Sequence, residues 1–302
     1  MMNKNSLKMW LETARPKTLP LAAASIVTGS ALAYWRGGFS WQVALLCLLT
    51  TLLLQILSNF ANDYGDHRKG SDTAERIGPL RGIQQGAISA AQLKTALFVL
   101  IGASLLSGAL LIFVAYQSAV DFIAFLLLGI IAIVAAITYT VGEKPYGYMG
   151  LGDISVLIFF GLLGVCGTYY LQVHQLDLMI FLPALSAGLL ATAVLNINNL
   201  RDIEQDKKAG KHTLAVRLGP TKGRFYHCAL LFVGALCYVI FALFAFTHWL
   251  GFIFLLSYPF LLKHALFVYR SRDPLALRPM LAQMSMLALL TNLLFSFGLL
   301  AG

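Results

Sequence analysis

Two stretches of this 302-residue chain set amide and carboxylate oxygens four residues apart: Asn62-Asp-Tyr-Gly-Asp66 and Asn198-Asn-Leu-Arg-Asp202-Ile-Glu-Gln-Asp206. Residues at that spacing share one face of a helix, about 6 Å apart along its axis, so their oxygens can converge on one hard cation. Such donors suit Mg2+, which keeps water and takes one or two protein carboxylates together with substrate phosphate oxygens. The chemistry expected is capture of the diphosphate of a lipid substrate through Mg2+, with Asn62, Asp66, Asn198, Asp202 and Asp206 as ligands. One Asn/Asp-rich stretch alone reads equally well as a solvated turn. A second copy at the end of another apolar segment makes a shared site the better reading.

Basic residues stand beside the acids. Arg68 and Lys69 follow the first stretch, Arg201 lies inside the second, and Lys207, Lys208 and Lys211 follow it. Charge bias across a membrane accounts for most of them. Arg201 and Lys211 flank Asp202 and Asp206 closely and are the expected diphosphate ligands, arginine offering phosphate a bidentate fork. The six histidines are scattered without metal-type spacing, and only His67 and His212 adjoin the acidic stretches. There is no Gly-rich loop ending in Gly-Lys-Ser/Thr, which argues against an ATP-driven transporter.

The elements that must carry these residues are membrane helices. Hydrophobic residues make up 59% and charged residues 12%, against about 25% charged in soluble domains, and the mean hydropathy is +0.77. Windows of about 20 residues predict nine spans, near 19–35, 41–60, 95–116, 120–141, 151–171, 179–197, 227–247, 248–262 and 281–301, hence an all-α polytopic bundle forming a single domain over 1–302. His248 is the only break in the nearly continuous run from Phe225 to Leu262. Under this count every one of the 22 Lys and Arg residues except Arg36 falls on one side. The positive-inside rule then puts the N terminus and both acidic stretches in the cytoplasm. The net charge of +9 is therefore a topology signal first, contact with anionic membrane lipid a second use, and nucleic-acid binding is not expected. No cleavable signal is evident, and Cys47, Cys166, Cys228 and Cys237 are expected as buried free thiols.

With these motifs in view, the chain resembles the UbiA superfamily of intramembrane aromatic prenyltransferases, whose signature is two Asn-x-x-x-Asp-x-x-x-Asp motifs on nine helices. The second motif is complete in Asn198, Asp202 and Asp206; the first has Asn62 and Asp66 but Gly70 in its last place, so Asp63 and Asp72 are the carboxylates that would complete the metal set. Ala14-Arg-Pro-Lys-Thr-Leu-Pro20, Lys69-Gly-Ser-Asp72, Gly150-Leu-Gly-Asp153 and Gly210-Lys-His-Thr-Leu-Ala-Val-Arg-Leu-Gly219 are similar to the branch acting on 1,4-dihydroxy-2-naphthoate in menaquinone synthesis.

The resemblance implies Mg2+-dependent transfer of a polyprenyl group from its diphosphate to that naphthoate, with loss of carbon dioxide, in a bacterial inner membrane. Asp66, Asp202, Asp153 and Tyr139 are the expected catalytic residues, and Arg15, Lys17, Asn62, Arg68, Lys69, Lys144, Arg201 and Lys211 the expected substrate-binding ones. Tyr139, Tyr146 and Tyr148 could steady an allyl cation through their ring faces or anchor the membrane interface. Gly161, Gly164 and Gly167 are read as helix-packing positions. Two other readings remain: another aromatic acceptor such as 4-hydroxybenzoate or a haem vinyl group, and an ion-coupled transporter. The transporter would carry its acids at the midplane.

Overall fold

Among the described residues, 4–71 and 80–301 of a computed structural model, eight helices are long and apolar enough to cross a bilayer, and a ninth follows when the bent pair Leu7–Ala14 and Leu19–Trp35 counts as one span. In chain order they are α1 (Lys4–Ala14), α2 (Leu19–Trp35), α3 (Trp41–Arg68), α4 (Ala90–Val114), α5 (Ala119–Thr138), α6 (Gly152–Val173), α7 (Leu178–Arg201), the short α8 (Ile203–Lys208), α9 (Leu214–Ala245), α10 (Trp249–Arg270) and α11 (Leu275–Ala301). The all-α expectation holds, and the spans are α2 to α7 and α9 to α11.

Hydropathy found the spans but cut several of them short. Helix α3 runs on to Arg68, α7 to Arg201, and α9 begins at Leu214, with a break at Gly219 (φ 73°) before it continues. A hydropathy window ends at the first polar residues. The polar turns that extend α3 and α7 line an internal cavity. Helix α1 was not foreseen: it leaves Leu7 and Leu11 exposed, packs Trp10 against Phe60 with tilted rings whose centroids are 5.6 Å apart, and meets α2 at 51° across Arg15, whose φ is +52°.

Helix α7 is the centre of the bundle: 61% of its apolar window is buried, against 11% for α5, whose apolar side chains face outward. Lipid is as apolar as leucine, so membrane helices associate through close packing of small residues and through hydrogen bonds. Both devices occur here. Gly188 of α7 meets Gly161 of α6 so closely that a Cβ on either would come within 2.9 Å of the other's Cα. Tyr238 of α9 and Thr28 of α2 both donate to the Asn292 side-chain oxygen of α11 at 2.7 Å, and Tyr238 stacks on Phe295 at 4.1 Å. The middle of α6, Leu157–Gly167, is wound in the wider i→i+5 pattern that is frequent at functional sites. All four cysteines are free.

Candidate active site

Helix α3 presents Asn62 and Asp66 on its last turns and then stops. The stop is at Gly70, whose φ of +64° favours glycine, and the Ser71 N–H closes the end on the Asp66 carbonyl at 3.0 Å. Position 70 therefore lies off the helix, where an acid could not continue the face of Asn62 and Asp66. Gly65 lets α3 touch the segment after α5, since a Cβ there would sit 2.6 Å from the Thr140 carbonyl oxygen. Thr140 Oγ1 bonds the Ala61 carbonyl and Asn62 Oδ1 at 3.0 and 3.1 Å.

The second motif keeps its face across a bend. The chain kinks at Asp202, between α7 and α8, yet the Asp202 N–H still donates to the Asn198 carbonyl (3.2 Å) and the Asp206 N–H to the Asp202 carbonyl (2.8 Å). Asn198, Asp202 and Asp206 consequently open with Asn62 and Asp66 on one cavity of about 280 Å³. Arg15, Lys211, Tyr139, Tyr146 and Tyr148 line the same cavity. The three tyrosines thus face the interior site.

The ionic partners are specific. Asp66 is 4% exposed and accepts from Lys211 Nζ at 2.8 Å and Tyr148 Oη at 2.7 Å. Lys211 also lies over the Tyr148 ring, 4.6 Å from its centroid. Arg201 is buried and forks onto Asp202, Nε to Oδ1 at 2.7 Å and Nη2 to Oδ2 at 2.5 Å, while Nη2 reaches Asn198 Oδ1 at 2.9 Å. It orients two motif residues and is not on the cavity wall. Asp63 lies behind the wall between Arg15 and Arg81, each 2.5 Å from Oδ1. Its Oδ1 serves both guanidinium groups, and the residue is not on the cavity wall. Asp72 lies outside the described residues.

Other expected site residues also stand elsewhere. Lys17, Arg68 and Lys144 are exposed and off the cavity; Lys69 is exposed and donates to the Glu143 carbonyl at 2.9 Å. Asp153 is buried near Tyr226 of α9, with Oδ1 unpartnered, and is not on the cavity wall. Sequence reasoning missed Arg81, Ser71, Asn59 and Gln205, all on the cavity wall. Arg81 looked like one more cation of the charge bias, and no spacing links it to Asp63.

Tyr139 packs between Gly147 and Gly152, where a Cβ would come within 2.6 Å of its carbonyl oxygen and 2.7 Å of its hydroxyl. Burial, followed by the charge of Asp153 and other nearby acidic groups, pushes its phenol above the usual range, and burial does the same at Tyr146. Both stay protonated at any working pH, as hydrogen-bond donors and apolar faces and not as bases. Among the described residues no three carboxylate, imidazole or thiolate groups form a metal cage of their own. Carboxylate and amide oxygens from two facing helices fit an ion that shares its ligands with a phosphate, as Mg2+ does.

The model of the UbiA prenyltransferase family matches residues 22–289. The chain belongs to that family. It is 68% identical over its whole length to the 1,4-dihydroxy-2-naphthoate octaprenyltransferase of Haemophilus influenzae, covering 98% of that protein. The corresponding enzyme of Escherichia coli is 56% identical over 96% of this chain and 94% of its own. Among solved structures, a UbiA homologue from Archaeoglobus fulgidus bound to DMAPP and Mg2+ superposes with a TM-score of 0.63 at 18% identity, covering 95% of this chain and 99% of that one. A UbiA homologue from Aeropyrum pernix in its apo form gives 0.67 at 15% identity, over 93% and 97% of the two chains. At these identities the two structures speak for the UbiA fold.

Proposed function

We propose that this UbiA-family chain is a 1,4-dihydroxy-2-naphthoate octaprenyltransferase, transferring the octaprenyl group from its diphosphate to the naphthoate in menaquinone biosynthesis. The observation that carries the reading is the joining of both Asn/Asp faces on one cavity with Lys211 between them. The donor length comes from the activities of the two bacterial relatives. Mg2+ held by Asp66, Asp202 and Asp206, with Asn62 and Asn198, would neutralise charge growing on the leaving diphosphate. Lys211 and Arg15 add fixed positive charge on the same wall. The allylic C–O bond breaks with its electron pair passing to the diphosphate; the ring carbon bearing the carboxylate attacks; carbon dioxide then leaves, returning its pair to the ring. Tyr139 and Tyr146, in edge contact at 5.3 Å, offer ring faces to the allyl cation, and the buried wall keeps water from it.

The tail has a continuation. An apolar cavity of about 170 Å³ between α2 to α6 shares Leu54, Ala132, Phe159 and Phe160 with the first, and we assign the isoprenoid chain to it. Gly164 borders this cavity but packs on α2, where a Cβ would come 2.9 Å from that of Ser25. Gly164→Leu is therefore expected to lower folded yield before it alters tail-length preference. Normal yield with a shorter preferred tail would make Gly164 a length gauge instead. Lys211→Met is expected to raise the KM for the prenyl diphosphate by about tenfold or more while the naphthoate KM holds, measured by steady-state kinetics in which both substrates are varied. The one-sided distribution of Lys and Arg supports placing this end of the bundle on the cytoplasmic face of a bacterial inner membrane.

The reading is tested by supplying purified protein with Mg2+, octaprenyl diphosphate and either 1,4-dihydroxy-2-naphthoate or 4-hydroxybenzoate. Prenylated naphthoquinol and released carbon dioxide with the naphthoate alone are expected. Product with 4-hydroxybenzoate alone would move the chain to a different acceptor while leaving the diphosphate site intact.

A further inference from the structure

Away from the cavity, α9 buries a cation without a counter-ion. Arg224 is only 6% exposed, has no carboxylate partner among the described residues, and its Nε is buried with no hydrogen-bond acceptor. Its one bond is from Nη1 to the Pro220 carbonyl, at 2.9 Å. The other charge that acts on it is of its own sign, from Arg272 in the α10–α11 turn. Asp273, beside Arg272, is exposed and already accepts from the Leu275 N–H at 2.9 Å. Arg224 also stands just inside the segment of α9 that restarts at Pro220 after the break at Gly219, near the positive end of a helix dipole. Burial without a partner, a like neighbour and a helix start all disfavour a cation. An anion relieves all three.

Donors continue inward from Arg224. His227, one turn on and on the same face, is fully buried with neither ring nitrogen partnered. Gly223 against Leu200 and Gly234 against Leu190 set the antiparallel register of α9 on α7, which brings Asn196 level with His227. Asn196 is 1% exposed, and both atoms of its amide lack a partner. On the outer side Phe225 is 68% exposed, an apolar neighbour suited to an acyl chain.

We propose that Arg224, with Arg272 at its mouth and the His227–Asn196 donors behind it, is a binding site for an anionic phosphate group, carried by an acidic phospholipid or free in solution. The site is separate from the prenyl-transfer cavity, whose wall includes none of these residues.

Thermal unfolding of the full chain in neutral detergent tests this. Phosphatidylglycerol is expected to raise the midpoint by about 3 °C or more, phosphatidylcholine is not, and Arg224→Met is expected to abolish the rise. A rise with phosphatidylglycerol but not with inorganic phosphate assigns the site to lipid; an equal rise with inorganic phosphate assigns it to a soluble phosphate. Without any anion, Arg224→Met should unfold no earlier than the parent, because it removes an uncompensated buried charge. Should that variant fail to fold, Arg272→Gln, on an exposed turn, is expected to reduce the rise instead. No rise with any anion, or a rise of equal size in the parent, Arg224→Met and Arg272→Gln, overturns the proposal.

Discussion

Turnover is expected to fall about a thousandfold in Asp66→Ala, equivalent to ~4 kcal/mol of transition-state stabilisation. Two losses combine in this variant. The α3 face gives up its carboxylate, and Lys211 and Tyr148, which reach Asp66 at 2.8 and 2.7 Å, lose their acceptor. The orphaned Lys211 is half-buried, so Asp66→Ala should also unfold earlier. Asp66→Asn separates the two effects, since an amide oxygen still accepts from both partners while the metal-binding charge is gone. It is expected to fold normally and to be as inactive as the alanine variant. Single-turnover rates at saturating substrate, with the unfolding midpoint of each variant, check this. Activity within tenfold of the parent in Asp66→Asn would remove Asp66 from the metal set.

Asp202→Ala is expected to produce a loss of similar size, and the Asp66→Ala/Asp202→Ala pair a loss scarcely larger than either alone. Residues that act as a unit are strongly non-additive: once one wall of the shared site is gone, little remains for the other to lose. Multiplication of the two effects would mean that the walls work on separate ligands. Arg201 supplies a control. Its fork holds Asp202 without lining the cavity, so Arg201→Lys, which loses the bidentate geometry but keeps the charge, should give a smaller loss than Asp202→Ala.

The nine spans were legible because a bilayer leaves no alternative to long apolar helices, and their alternation was checked by the charges that flank them. The second motif was legible because i→i+4 bonds carry its face across the bend at Asp202. The first motif was only half legible. Nothing in its spacing states that α3 ends at Gly70 or that Asp63 is claimed by Arg15 and Arg81, which arrive from the α1–α2 elbow and from the stretch before α4. The position of Asp153 was not legible for a related reason: hydropathy fixes where α6 lies but not its rotation, and the rotation leaves Asp153 off the cavity wall. The uncompensated Arg224 likewise looks in the sequence like any other cytoplasmic arginine.

The central claim is that the two Asn/Asp faces hold one diphosphate together through Mg2+. Its most direct test is the affinity of the parent, Asp66→Asn and Asp202→Asn for a non-reactive thio-analogue of a prenyl diphosphate, measured by titration calorimetry with Mg2+ and with EDTA. Tight binding by the parent that requires Mg2+ and is weakened to a similar degree by either substitution is the predicted result. Binding of equal strength in EDTA, or binding indifferent to one of the two acids, would contradict it.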